Sequence, residues 1–397
     1  MTGAHIGRIV NAAATLTKLG GSIMAPATVA AMTDAATGFV DLVEAMDLAG
    51  ERIAELTHNE AARVTSGASS ALTLAVAGLV TGPEPDDLEV FPYLTGVTRT
   101  EVVMLRPQRN AYDYAVRMLG LRIVEADATA RSLDAAISER TCAILWFAGT
   151  QHPAPGLDIA EIVAIAHRHD ISVIVDAAAQ IPPVDMLWHF TRDVGVDAVI
   201  FSGGKGLRGP QSTGLLLGRR DIIAGARANA APNMGIGRSM KVGKEELAAI
   251  VVAVEAAVGV DQAELLAGYE RVVGSWIAAL QGIPGIEAER AFPSEAGQPH
   301  SRVKLRLEPA STVTAGRLEQ ALWHADPRIA VLVLDEHTIA MNPQTVAPDE
   351  VTLVSDGLVR TLHELGFGAA EAELPSIRRR TRCPRRRSSR RCPRLDG

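Results

Sequence analysis

The chain has 397 residues, 47% hydrophobic and 21% charged, which excludes a peptide or a disordered tail and calls for one large or two medium folded domains. Aromatic residues make up only 4%, against a base-stacking platform for nucleic acid. No apolar run reaches the roughly 18–20 residues of a membrane span and no charged-then-apolar leader pattern opens the chain, so a cytoplasmic protein without membrane contact is expected. The net charge of −7 is uneven: residues 376–397 hold ten arginines and one acid, a local +9 that leaves −16 on residues 1–375. An acidic body makes nucleic acid an unlikely partner, because neutralising phosphates needs a basic surface.

In chain order, residues 1–50, with Gly20-Gly21 and Pro26, read as an irregular arm followed by a helix. A large domain over residues 51–255 follows. Near its start, Val64-Thr65-Ser66-Gly67-Ala68-Ser69-Ser70 precedes a helix predicted over 71–80. Hydroxyls and free backbone N–H groups at a helix N-terminus suit one phosphate, although any capped helix shares this look. Strands are predicted at 102–105, 122–125, 143–147, 172–176, 198–202 and 213–217, with helical patterns between them. One such helix carries Ile159, Ile162, Val163 and Ala166 at helical spacing after the start signals Gly156 and Asp158. This alternation predicts an α/β fold with a mostly parallel, doubly wound sheet, in which ligands bind beyond the carboxyl ends of the strands.

Two strand ends carry chemistry. Val173-Ile174-Val175-Asp176 places an acid at the end of an otherwise apolar strand, costly without a partner. A protonated pyridine nitrogen would be such a partner; a helix-capping role is the alternative. One strand later, Ser202-Gly203-Gly204-Lys205-Gly206 sets a lysine among glycines at the ligand edge. A lysine in such a partly enclosed place can lose its proton and form a Schiff base. The phosphate-loop pattern of nucleotide hydrolases fails here, since Gly206 follows the lysine instead of a hydroxyl residue. A phosphate cradle, an acid and a tether lysine are together the set that pyridoxal 5'-phosphate (PLP) requires.

Residues 244–279 read as one or two long helices, and a small C-terminal domain is set at residues 256–372. Cys142, inside an apolar run, reads as a buried small hydrophobe, while Cys383 and Cys392 lie in the Arg-rich tail, which has no periodicity and is expected to be disordered over 376–397. That tail is either a translated out-of-frame extension or a basic arm. His167 and His169 point to different helix faces, and no metal site is expected.

The chain resembles the PLP-dependent fold-type I enzymes of the selenocysteine-synthase-like family, in the subgroup that includes D-glucosaminate-6-phosphate ammonia lyase. The resemblance runs in order over about residues 5–370. It rests on Asn11-Ala-Ala-Ala-Thr-Leu-Thr-Lys-Leu-Gly-Gly, Val64-Thr-Ser-Gly-Ala, Arg109-Asn-Ala-Tyr112-Asp113, Val175-Asp-Ala-Ala-Ala-Gln180, Ser202-Gly-Gly-Lys-Gly-Leu-Arg208-Gly-Pro-Gln, Gly235-Ile-Gly-Arg238-Ser-Met-Lys241 and Asn342-Pro-Gln-Thr. It implies that Lys205 holds PLP, that Asp176 pairs with the pyridine nitrogen, and that Ser66, Gly67 and Ala68 bind the phosphate, aided by Ser202, with Gln180 also cofactor-binding. Gln108 stands where the family often has histidine. Arg208, Arg238, Lys241 and Asn11 are the substrate candidates, with Arg8 and Arg302 behind them; the Arg238 stretch could instead serve a neighbouring subunit or be a solvated loop. The expected function is a PLP-dependent lyase: Cα deprotonation of a small amino acid or amino sugar acid, β-elimination, and release of ammonia and a 2-keto acid by at least a homodimer. Selenium transfer to seryl-tRNA, transamination, retro-aldol cleavage and racemisation use the same residues, and a non-catalytic PLP-binding regulator is the rival from another class.

Overall fold

Thirteen strands organise the described residues, 7–84, 88–150 and 156–368, of this computed structural model. They are β1 (Ile9–Asn11), β2 (Ala61–Thr65), β3 (Glu101–Leu105), β4 (Arg122–Ala126), β5 (Thr141–Phe147), β6 (Ser172–Asp176), β7 (Ala198–Ser202), β8 (Gly214–Gly218), β9 (Ile286–Ala291), β10 (Arg302–Leu307), β11 (Arg328–Ala330), β12 (Leu332–Val333) and β13 (Thr338–Met341). The central sheet runs β2-β8-β7-β6-β5-β3-β4. All its neighbours pair in parallel except β8, which is antiparallel to both β7 and β2. A parallel return needs a long crossover, usually a helix, and the chain from β7 to β8 spends its connection on the loop 203–213 instead. The lysine predicted from the sequence lies in that loop. The sheet also contains β2, absent from the predicted strands: Ala-Ala-Arg-Val-Thr is too short and mixed to show a period, and its pairing with β8 over Ala61↔Gly218 to Thr65↔Gly214 makes it a strand.

Successive strand residues face opposite sides, and the chain fills both. Val103, Ile144, Val173, Val175, Val199 and Leu215 pack against helices Leu42–Leu56, Ile159–Arg168 and Lys244–Val258. On the other side, Val102, Met104, Leu145, Ile174, Ile200 and Leu216 meet helices Ala68–Thr81 and Arg220–Asn229. This is the doubly wound, three-layer α/β arrangement that the alternating pattern predicts.

The Ala-rich stretch forms two helices. Lys244–Val258 belongs to the large core, whereas Gln262–Leu280 places Val273, Trp276 and Leu280 in a second core. That core backs the antiparallel sheet β12-β13-β10-β9 together with helices Ala315–His324 and Val351–Glu364. The amino-terminal arm joins it, since β1 pairs in parallel with β11 and Val10 and Ala12 are buried there. The arm is therefore threaded between the two parts and passes over the edge where the strands end.

The Arg-rich tail, with Cys383 and Cys392, lies outside the described residues. Among those residues, no helix is long and apolar enough to cross a membrane. Cys142 is buried, and burial pushes its thiol up to about 12, which keeps it in the unreactive neutral form.

Candidate active site

The carboxyl ends of β2, β5, β6 and β7 open on one cavity of about 320 Å³, within the range of about 300–1,000 Å³ usual for small-molecule sites. Its floor comes from the strand ends, and its walls from the first turn of helix Ala68–Thr81 and from the arm.

Asp176 closes β6 and lines the cavity. Its Oδ1 accepts the Ala178 backbone N–H at 3.0 Å, and among the described residues no basic side chain lies within ion-pair distance of it. Burial raises its carboxyl above the usual range, only partly opposed by that N–H and by the charge of Lys205. Lys205 lines the same cavity, and burial lowers its ammonium while the Asp176 charge raises it. Both groups are thus pushed toward their neutral forms. Asp176 lacks the cation it would need, and Lys205 Nζ makes no hydrogen bond or ion pair among the described residues.

The lysine loop is closed on itself. The Gly203 N–H donates to Thr213 O at 2.9 Å, the Gly209 N–H to Gly203 O at 2.8 Å and the Arg208 N–H to Lys205 O at 3.0 Å. A Cβ on Gly206 would lie 2.0 Å from Ile181 O, so glycine lets the loop lie directly on the chain following β6. The arm holds it from outside: Ser22 Oγ donates to Gly204 O at 2.9 Å and Gln211 Nε2 to Thr17 O at 2.8 Å.

At the cradle, Gly67 has φ +109° and caps the helix without a side chain. The N–H groups of Ala68, Ser69 and Ser70 precede the first helical bond, which runs from Ala71 N–H to Gly67 O at 3.0 Å. Gly67, Ala68 and Ser69 line the cavity. Ser66 does not: its hydroxyl is spent on Ser70 Oγ at 2.9 Å, so Ser69 stands at the wall in its place. Gln180 lines the cavity with Nε2 donating to Ala296 O at 2.9 Å, and Ser202 lines it as well.

The substrate candidates fall elsewhere in the single chain. Arg208 is exposed, at φ +56°, with Nε donating to Ile23 O at 3.0 Å. Arg238, Lys241 and Arg8 are also exposed, and none of the four lines the cavity. Asn11 is absorbed by a turn, donating to Ala14 O and accepting from Ala13 N–H, both at 2.9 Å. Arg302 is paired with Glu295 at 3.3 Å. Gln108 is buried behind the wall and grips the end of β5, donating from Nε2 to Phe147 O at 3.0 Å and accepting the Phe147 N–H at 3.1 Å. His167 bonds Asp197 and His169 bonds Asp134, consistent with their different faces.

Sequence reasoning missed Thr15, Thr17, Tyr112 and Ala296 as lining residues. Tyr112 was within reach, since it stands in the Arg109-Asn-Ala-Tyr112-Asp113 stretch. Ala296 has no local signal and arrives only because Gln180 and Gly149 receive its loop.

The residues fit PLP. A desolvated carboxyl without a cation, an unpartnered lysine amine and the free N–H groups of Ala68 and Ser69 at a helix start meet at one cavity. The fold is that of the fold-type I PLP-dependent enzymes. Residues 39–237 match the family model described as aminotransferase class-V, and the chain belongs to this family of PLP-dependent enzymes. It is 32% identical over 377 residues to the 5'-C-glycyluridine monooxygenase-decarboxylase of Streptomyces sp, covering 91% of each chain. It is 31% identical over 377 residues to the D-glucosaminate-6-phosphate ammonia lyase of Salmonella typhimurium, covering 92% of this chain and 97% of that one. A solved D-glucosaminate-6-phosphate ammonia-lyase superposes with a TM-score of 0.78 at 29% identity, over 92% of this chain and all of the other.

Proposed function

We propose that the chain is a cytoplasmic, homodimeric PLP-dependent lyase that deprotonates a small amino acid or amino sugar acid at Cα, eliminates a β-substituent and yields ammonia with a 2-keto acid. The observation that carries this reading is the meeting of Lys205 and Asp176 in one cavity with the helix start at Gly67 to Ser69. When bound, PLP supplies an electron sink for the pair of electrons left at Cα. Lys205 would hold PLP as the covalent tether, and its Nζ, when free, would take the Cα proton. Its lowered ammonium supports this, because a base must be neutral to accept a proton. Asp176 is assigned to the pyridine nitrogen: a carboxylate without a cation becomes a strong partner for one placed beside it. Gly67, Ala68 and Ser69 are assigned to the phosphate through backbone N–H groups, with Ser202 and Gln180 at the rim.

Lys205 is the only cationic side chain among the described residues lining the cavity. A substrate carboxylate therefore has to be met by a cation from outside one chain's cavity. Arg238 and Lys241, both exposed, are assigned that role from the second copy of the proposed dimer. The acidic body supports a small substrate over a tRNA.

Incubation of the PLP-loaded protein with amino acids and amino sugar acids in deuterated water tests the reading. Cα exchange with release of ammonia and a 2-keto acid is expected. Its absence, together with selenide-dependent conversion of seryl-tRNA, would replace the lyase with the transferase. A second reading, oxygen-dependent decarboxylation, draws on the similarity to the monooxygenase-decarboxylase, 32% identical against 31% for the lyase. Oxygen uptake and carbon dioxide release in the same incubation would favour it.

A further inference from the structure

Loss of a β-hydroxyl breaks a C–H and a C–O bond, and the departing oxygen needs a proton, yet the residues assigned so far include no acid separate from the base. Among the described residues lining the cavity, Tyr112 is the one ionisable side chain besides Asp176 and Lys205. Asp176 is committed to the pyridine nitrogen in the reading above. Lys205 can donate only the proton it has just taken from Cα, so Tyr112 is the proton donor of the cavity that is distinct from the base.

Its placement is built. Tyr112 sits in the short turn Ala111–Asp113, where its backbone N–H donates to Asn110 Oδ1 at 2.8 Å. The next residue, Asp113, is buried and held from two sides, by Arg109 Nε at 2.6 Å and Arg117 Nε at 2.7 Å. Those two arginines hold the Asp113 carboxyl well below its usual range against the opposing effect of burial, so the clamp stays charged at neutral pH. The tyrosine itself is 63% exposed, and its hydroxyl has no partner among the described residues. The clamp thus fixes the backbone of the turn next to Tyr112. Gln108, from the same segment, cannot share the task, because both ends of its amide are spent on the Phe147 backbone.

We propose that Tyr112 is a catalytic residue, the acid that protonates the oxygen leaving Cβ; the proposal rests on the lyase reading. Lys205 Nζ takes the Cα proton. The Cβ–O bond breaks with its electron pair on oxygen, the Tyr112 O–H gives its proton to that oxygen, and water departs. Solvent reaching the exposed phenolate returns its proton, and Lys205 gives up the proton it took, so both regain their starting state. One water is then consumed in hydrolysis, and the net change is substrate to ammonia and a 2-keto acid.

The test compares the wild-type holoenzyme with Tyr112→Phe on serine and glucosaminate, whose β-hydroxyls need a proton to leave, and on β-chloroalanine, whose chloride does not. Ammonia release from the hydroxy compounds is expected to fall about 10²–10⁴-fold, the usual range for a general acid. Release from β-chloroalanine, Cα exchange in deuterated water and the PLP affinity of the cofactor-free chain should stay essentially unchanged. Equal losses on both kinds of substrate, or a matching loss of PLP affinity, would make Tyr112 a holding residue and overturn the proposal. A wild-type enzyme that exchanges no Cα hydrogen with any of the three defeats the lyase reading itself, and this proposal with it.

Discussion

Asp176 and Lys205 are costly residues for the fold, and the proposed function gives both a chemical role. Burial raises the folded-state carboxyl of Asp176 above its unfolded value, so stability present at low pH is lost as pH rises through that raised value. For Lys205 the folded value lies below the unfolded one, so stability present at high pH is lost as pH falls through it. The cofactor-free chain therefore carries two strained groups near neutrality. Asp176→Asn should raise the melting temperature of the cofactor-free protein at pH 7, measured by calorimetry, while lowering turnover on the order of 10²-fold or more through loss of electrostatic stabilisation. A variant that melts lower would show the carboxylate to be a structural partner instead. Lys205→Ala should fold and lack covalent PLP. Borohydride reduction and peptide mapping of the wild type should place the pyridoxyl group on Lys205, and finding it on Lys18, Lys241 or Lys244 would reassign the tether.

At the scale of elements, two helix starts with different purposes can be set against each other. Helix Ile159–Arg168 begins with a capping box: the Glu161 N–H donates to Asp158 Oδ1 at 2.8 Å and the Asp158 N–H to Glu161 Oε2 at 3.2 Å. Helix Ala68–Thr81 has only Gly67 at its cap and leaves its first N–H groups open toward the cavity. Asp158→Ala should cost about 1 kcal/mol of stability and leave PLP affinity alone. Gly67→Ala should do the reverse in emphasis. At φ +109° a Cβ is strained by about 1–3 kcal/mol, and the helix start shifts away from the phosphate, so PLP affinity measured by titration should drop while the fold survives. Asp158 was legible from the sequence because a capping box is local. The open cradle was legible only as a weak pattern, and the exchange of Ser66 for Ser69 at the wall was not legible, because a hydroxyl's partner depends on side-chain directions within one turn.

For the whole molecule, the two cores meet across the site. Ala296, from the loop joining β9 and β10 of the small sheet, accepts from Gln180, and Ile181 O accepts from Gln298 Nε2 at 2.6 Å and Gln344 Nε2 at 3.0 Å. The small part thus holds the segment that follows Asp176. The described fold ends shortly after helix Val351–Glu364, with Phe367 in the second core. Deleting residues 376–397 should leave PLP loading and turnover unchanged in a direct comparison of the two proteins. Salt-sensitive tRNA binding by the full chain alone would instead make the tail a working arm.

The sequence by itself determined the α/β class, six of the seven central strands, the capped helix at Asp158, and the placement of Asp176, Lys205 and the Gly67 helix start at the ligand edge of the sheet. Each of these is written within a few consecutive residues, as a period, a cap or a strand end carrying a group that apolar surroundings do not tolerate alone. The tertiary structure decided what stands around them. It made β2 a strand by pairing it with β8, turned β8 antiparallel, laid Thr15 and Thr17 of the arm along the wall, and brought Tyr112 and Ala296 into one cavity from far apart in the chain. It also kept Arg208, Arg238 and Lys241 out of that cavity within a single chain. The physical reason is that a local pattern sets which conformation a segment prefers and which group it presents, whereas the neighbours of that group are chosen by how two cores and an arm bury their apolar faces together, a sum over contacts that no short window of sequence contains.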